Sequence, residues 1–399
     1  MLNLLCLFVF FFTTSSLAAL DVVYLTWQKD PTTTMTISWL AKPEENKKSL
    51  EYRPSGKDDA WKTKQVENVI PLQNSPYVLY RVECVDLTPD TLYSFRVPQE
   101  QEQHLFRTMP KTNDQPICFA VGGDMYDNSL ETFEQTSKAA AKHNPRFVLV
   151  GGDIAYSVSN KHKRVDDLSR WLTFFSSWTK LLKDSQGAHI PILAAIGNHE
   201  VMGYFNETPA SARYFYTFFP TPNDQGYQAV RFGGYMSVMI LDSGHTHPIA
   251  GAQAAWLEQE LKKQIATKHR FAIYHVPAFP SARSFRGTIS TSIRRNWCPL
   301  FEKYGIHAVF EHHDHAYKRT FPLVNSSPDR FGVVYFGDGG WGAKPRIPKT
   351  ASRTSYLAKT KYTQQFLIVE VTKTTRTYSA YNPESELIDR HIQPLDKPY

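Results

Sequence analysis

Five short stretches of this chain set metal-binding side chains directly after apolar, strand-like runs. In chain order they are Gly-Gly-Asp-Met-Tyr around Asp124, Gly-Gly-Asp-Ile-Ala-Tyr at 151–156, Gly-Asn-His-Glu at 197–200, Tyr-His-Val-Pro around His275, and Glu-His-His-Asp-His-Ala-Tyr at 311–317. Together they offer Asp124, Asp153, Tyr156, Asn198, His275, His313 and His315. Mixed oxygen and nitrogen donors of this kind suit two adjacent metal ions. Each stretch alone has a plainer reading. A Gly-Gly-Asp after a strand is usually a turn or a helix cap, a lone histidine is usually hydrogen-bonded, and a lone tyrosine is usually packed. Five such stretches in series, spread over almost half the chain, are not explained that way.

The segments between them alternate strand and helix. ICFAVGG, RFVLVGGD, IPILAAIGNHE, GYMSVMILDS, HRFAIYHVP and IHAVFEHHDH read as buried strands. LETFEQTSKAAAKHN, DLSRWLTFFSSWTKLLKD, AQAAWLEQELKKQIA and RRNWCPLFEKYG read as helices. This alternation predicts helix-covered sheets, and sites on open α/β sheets form outside the carboxyl ends of the strands. All seven candidates fall there. VVYFGDGG and FLIVEVTKTTRTYSAY read as further, closing β-structure.

Residues 22–109 follow another pattern. TMTISWL, LEYR, YVLYRVECVDL and LYSFRV are strands separated by turn-rich stretches, with no catalytic-looking cluster. LTPDTLYSFRV resembles a fibronectin type III domain, in which a tyrosine such as Tyr93 ties down the corner. The expected division is a signal peptide at 1–19, a fibronectin type III-like domain at 20–112 and a catalytic domain at 113–399, with the change inside the proline-bearing stretch 110–116.

Composition excludes little but sets the context. The chain has 399 residues, 42% hydrophobic and 21% charged, which is globular and long enough for two cores. The formal net charge of +7 favours anionic substrates or surfaces, although charge this modest also serves solubility alone. No Lys/Arg-rich run, RNA-binding signature or helix-turn-helix pattern is present, so no sequence-specific nucleic-acid partner is expected. Residues 2–20 are uncharged, with an apolar part too short to span a bilayer comfortably, followed by Ser16, Ala18 and Ala19. They read as an export signal cut near Ala18 or Ala19, leaving no transmembrane segment in the mature chain and placing it outside the cell or in a periplasm. Asn206-Glu207-Thr208 and Asn325-Ser326-Ser327 are then sequons of a glycoprotein. Beyond Cys6 in the leader there are three cysteines, Cys84, Cys118 and Cys298, which allow at most one internal disulfide and no thiol-based centre. Nothing in the sequence sets the oligomeric state.

The five stretches resemble the purple acid phosphatases, within the calcineurin-like metallophosphoesterases, whose pattern is GDxG, GDxxY, GNH(D/E), VxxH, GHxH. The resemblance implies a four-layer α/β/β/α catalytic domain after the β-sandwich. It also implies hydrolysis of phosphate monoesters by metal-activated hydroxide, without a covalent phosphoenzyme. One metal, Fe(III), would take Asp124, Asp153, Tyr156 and His315. A divalent metal (Zn, Mn or Fe) would take Asp153, Asn198, His275 and His313. Asp153 would bridge the two. His199 would act near the leaving group, with Glu200 orienting it. The substrate would be a phosphorylated small molecule.

Two positions depart from the pattern. Tyr126 and His312 stand where the family has glycine, and are expected to shape the substrate pocket. Arg283 and Arg286 lie where the family carries substrate-contacting groups. His245-Thr246-His247 has ligand-like spacing, but both metals already have full sets, so these side chains are read as lining the substrate mouth. Two rival readings remain: a phosphodiesterase or nucleotide pyrophosphatase with the same metals, and a non-catalytic binding or adhesion protein.

Overall fold

The structure is a computed structural model that describes residues 22–43, 48–98, 102–127, 129–159, 165–222, 225–337 and 339–395. The expected signal peptide at 1–19 lies outside them. Among the described residues no helix is long and apolar enough to cross a membrane, and all three cysteines are free.

Two four-stranded antiparallel sheets come first. One runs Val22–Thr26, Met35–Ala41, Val78–Cys84, Asn68–Pro71, and the other Lys62–Gln65, Ser49–Pro54, Leu92–Arg96, His104–Arg107. The Tyr93 hydroxyl accepts a hydrogen bond from the Thr88 main-chain N–H at 2.9 Å, which pins the corner before its strand. This sandwich is not a loose bead. Tyr24 stacks on Phe175 with centroids 4.3 Å apart, and Trp27 meets Phe147 and Phe232 edge-on.

Two larger sheets follow. The first runs Ile192–Ala195, Val148–Gly151, Ile117–Gly122, Phe366–Val371, Thr375–Tyr381, Leu387–Pro394. Its first three strands are parallel and the rest antiparallel. The second runs Gln228–Phe232, Met236–Ile240, His269–Ile273, Ala308–Glu311, Val334–Gly337, Tyr317–Thr320, Leu357–Lys361, with four parallel strands in its middle. The strands read as closing structure are thus not edges. Phe366–Val371 pairs directly with Ile117–Gly122, and Val334–Gly337 with Ala308–Glu311.

The two sheets pack face to face. Phe119, Leu149 and Val369 of one share a core with Phe271, Ile273 and Phe310 of the other. The outer face of the first sheet, with Val148 and Val150, is covered by helices Leu130–Ala141 and Leu168–Leu181 through Phe133, Trp171 and Phe174. The outer face of the second, with Ala272 and Val309, is covered through Leu257, Ile293 and Phe301 of helices Ala252–Lys263, Thr288–Asn296 and Cys298–Lys303. Four layers result, α/β/β/α. Helix starts are marked by Ser129, which accepts from Thr132 N–H, and Asp167, which accepts from Ser169 N–H.

One element differs from expectation. The segment read as a single helix around Arg294–Gly305 is two, meeting at Trp297. Pro299 offers no N–H and its ring conflicts with the carbonyl one turn back, so it opens a new helix instead of continuing the old one.

Three adjacent parallel strands of the first sheet and two of the second deliver the five stretches to one edge of the stack. That edge is where the chemistry gathers.

Candidate metal centre

The seven candidate ligands meet in two clusters. In the first, Asp124 Oδ1 lies 2.7 Å from His315 Nε2 and 3.1 Å from the Tyr156 hydroxyl, which is itself 3.2 Å from His315 Nε2. In the second, His275 Nε2 lies 3.2 Å from Asp153 Oδ2, 3.1 Å from Asn198 Oδ1 and 3.0 Å from His313 Nδ1. The clusters adjoin, since His313 N–H donates to Asp124 Oδ2 at 2.9 Å. The second oxygen of Asp153, Oδ1, accepts from His199 N–H at 2.7 Å.

The proton positions of the donors decide what these clusters suit. His275 Nδ1 is 2.9 Å from the Gly151 carbonyl. A carbonyl only accepts, so Nδ1 carries the proton and Nε2 of neutral His275 is a lone pair. That lone pair faces a carboxylate, an amide oxygen and a second imidazole nitrogen. His315 repeats the arrangement, with Nδ1 3.2 Å from the Lys344 carbonyl and Nε2 turned to Asp124. Converging lone pairs repel unless a cation lies among them. Imidazoles oriented by backbone carbonyls are the usual support for metal ligands. The residues therefore fit a pair of metal ions.

Backbone strain gathers at the same place. Asp124, Asp153, Tyr156, His313 and His315 all have left-handed conformations, with φ of 53°, 52°, 50°, 70° and 51°. This costs roughly 1–2 kcal/mol for each such residue, and strain of this kind collects at functional sites. Here it turns the chain sharply at each strand end, so that the side chains fold back into the clusters.

Three supports escaped the sequence reading. Glu200 does not orient His199. Its carboxylate accepts main-chain N–H bonds from Asp153, Ile154 and Gly197 at 2.8, 2.8 and 2.9 Å, and so holds the Asp153 turn against the Asn198 loop. The Gly197 Cα is so close that an added Cβ would sit 2.4 Å from Asp153 Oδ1. Asp314, between two candidate ligands, accepts from Ala282 N–H at 2.7 Å and anchors the loop after His275. Residues 339–346 close over the first cluster: Gly342 and Ala343 N–H groups donate to the Asp124 carbonyl, and Arg346 N–H to that of His315. The glycine-dense GDGGWG was the visible signal for this loop.

The proposed substrate residues separate. His199 stands at the rim, its side chain about a quarter exposed, with its ring stacked 4.4 Å from Tyr156. Its Nδ1 is 2.7 Å from the Val158 carbonyl, and Nε2 is 4.0 Å from Asp153 Oδ2. Arg283 lies beside His313 with Nη1 3.5 Å from Asp314 Oδ1, and Arg286 is exposed on the same loop.

His312, expected at the substrate pocket, is buried. Its ring fills the space over Gly123 and Gly151, where an added Cβ would come within 2.5 and 1.7 Å of it. Tyr126 is likewise engaged in packing, under the Arg170 guanidinium at 3.8 Å and beside Phe133. The His312 ring is thus taken up by packing, while Tyr126 is only half-buried. His245 is also fully buried and does not line a mouth. It is held by the Tyr204 carbonyl and Ser243 Oγ, while the N–H groups of 245–247 close on Asp242.

Charge follows geometry. Burial opposes ionisation of Asp153, yet His275 and His199 hold its carboxyl far below the usual range. Burial alone would lower the pKa of His275, but the Asp153 charge outweighs it and raises the value to about 9. Burial, then His275 and Arg283, keep His313 well below its ordinary value, as a neutral ligand requires. Burial and the Asp153 charge push Glu200 up to about 8, and a bound cation would pull it back.

The metal-free His275 thus holds a proton where a cation would sit. Metal affinity should weaken as pH falls below about 9, by up to about tenfold per pH unit for each proton displaced. Calorimetric titration with Zn(II) in two buffers of different ionisation enthalpy should show proton release near neutrality, and equal heats would mean that binding displaces no proton from His275. In the metal-free protein this raised pKa contributes stability that is full below the unfolded value of 6.5 and lost as pH rises through about 9.

Comparison with known proteins gives two family matches. Residues 21–110 match the description "Purple acid Phosphatase, N-terminal domain", and residues 117–317 match "Calcineurin-like phosphoesterase". "Probable purple acid phosphatase 20" of Arabidopsis thaliana is 27% identical over 64% of this chain and 58% of its own length. "Purple acid phosphatase 23" of the same plant is 26% identical over 66% of this chain and 62% of its own. The matches thus span less than two thirds of these relatives. A purple acid phosphatase structure from yellow lupin seeds superposes with a TM-score of 0.76 at 14% identity, covering 93% of this chain and 73% of that one, a likeness of fold.

Proposed function

The chain belongs to the purple acid phosphatase family of calcineurin-like phosphoesterases, and on that premise we propose that it is an exported acid phosphatase acting on phosphate monoesters. Family membership makes it a metal-dependent phosphoesterase. The finer reading is carried by one observation: two lone-pair clusters that adjoin, with the partly exposed imidazole of His199 at their rim, stacked on Tyr156 and with Nε2 4.0 Å from Asp153 Oδ2.

Asp124, Asp153, Tyr156 and His315 would hold one ion, and Asp153, Asn198, His275 and His313 the other. Two carboxylates and a phenolate are hard, anionic donors suited to Fe(III), and the imidazole-rich set suits Zn, Mn or Fe(II). When bound, such a pair supplies Lewis acidity toward phosphate oxygens and a lowered pKa for water. The chain's own residues do the rest. The Val158 carbonyl fixes the proton on His199 Nδ1, so Nε2 is the atom that can give or take a proton at the ester's leaving oxygen. Arg283, beside His313, can bind a phosphate oxygen. Burial raises the Tyr156 pKa well above its ordinary value, so the phenol loses its proton only to a strongly charged ion. Export rests on residues 2–20 of the sequence.

The test uses protein loaded with iron and zinc, assayed with p-nitrophenyl phosphate and its bis ester at acidic and alkaline pH. The monoester should dominate, with an acidic optimum. A visible absorption band should be present and should vanish in Tyr156→Phe while part of the activity survives. Preference for the bis ester would give the diesterase reading. Active iron-loaded protein without a band would leave Tyr156 as packing.

A further inference from the structure

The positive charge of this protein is not spread evenly. Residues 279–301 hold four arginines and no carboxylate, and residues 339–369 hold six lysines or arginines and no carboxylate. Neither stretch is a basic run, so the pattern escapes a reading of local composition. The fold brings the two together. Lys349 N–H donates to the Ser281 carbonyl at 2.7 Å, its Nζ to the carbonyls of Pro280 and Arg283, and the Tyr356 hydroxyl to that of Pro280 at 2.8 Å. The stitched loops lie against the candidate centre. Asp314 anchors one of them beside His313 and His315, and Lys344 and Arg346 of the other contact His315 through their main chains.

Some of these cations serve the fold. Arg294 is half-buried, with its guanidinium bonded to the carbonyls of Ala278 and Phe285, and Lys349 is spent on the stitch. Arg283 is a third exposed, while Arg286, Lys344 and Arg346 are exposed. Among the described residues only Arg283 of these four lies near a carboxylate, Asp314 at 3.5 Å. With Arg283 given to the reacting phosphoryl group, Arg286, Lys344 and Arg346 remain as exposed cations beyond what that group needs. That group already faces the metals and His199. Clustered charge of one sign beside a cleft raises the local concentration of polyanions and steers them in.

We propose that this basic flank selects phosphate esters carrying a second phosphate group beyond the one being cleaved, with Lys344 and Arg346 as specificity-determining residues. The inference rests on the phosphatase reading and deepens it. The second phosphate lies over the 283–286 and 344–346 loops while the first reaches the centre.

The test compares kcat/KM for fructose 1,6-bisphosphate with that for fructose 6-phosphate, on metal-loaded wild type and on the double variant Lys344→Ala/Arg346→Ala. Wild type at low salt should favour the bisphosphate by about tenfold or more, with the margin shrinking as salt screens it. The double variant should bring the ratio to within about twofold of one through KM, at unchanged metal content. Lys344→Glu should lower it further. A wild-type ratio near one at low salt, or a ratio that survives the double variant, overturns the inference while leaving the phosphatase intact. Failure of wild type to cleave even p-nitrophenyl phosphate would instead remove the phosphatase reading, and this inference with it.

Discussion

Asp153→Asn should strip most of the metal from the protein and lower hydrolysis by more than about 10³-fold, the several kcal/mol that a metal pair supplies to the transition state. The geometry makes this substitution unusually specific. Asparagine tolerates the left-handed backbone at this position (φ 52°), so the turn should survive. Oδ1 can still accept from His199 N–H. The atom replacing Oδ2 becomes an amide nitrogen 3.2 Å from His275 Nε2. Its N–H can donate to that lone pair, so a hydrogen bond forms where a cation would bind. Elemental analysis, turnover of p-nitrophenyl phosphate and thermal unfolding of the same preparation check the argument. Two metals per chain with near-normal turnover would show that Asp153 does not bridge.

His199→Ala should act differently: full metal content, a kcat lower by about 10²-fold or more, and an altered pH–rate profile. Alanine keeps the main-chain N–H that fixes Asp153. It removes only the imidazole at the rim, with its stacking on Tyr156. A structural role would instead appear as lost stability, with kcat and the pH profile unmoved.

The seven candidate ligands were legible because each lies within a few residues of an apolar run and a turn, and that association is local. The strand-helix alternation was legible for the same reason. Periodicity records whether a segment is buried and on how many sides. It does not record what the segment is buried against, and the misreadings follow from that. His312 looked like a pocket residue because its neighbours in sequence are ligands, yet its ring is received by Gly123 and Gly151, which lie far away in the chain. Glu200 follows His199, but its carboxylate serves Asp153 and Ile154, some 46 residues earlier. The single helix expected around Arg294–Gly305 is two because of a local feature, Pro299.

By itself the sequence determined the donor types, their order along the chain and the class of fold, since these depend on residue chemistry and on patterns within one segment. Only the tertiary structure decided which donors share a cluster, which backbone carbonyls orient the imidazoles, and how two stretches with no run of basic residues become one cationic flank beside His315. Those are properties of distances between segments, and such distances exist only once the two sheets have packed.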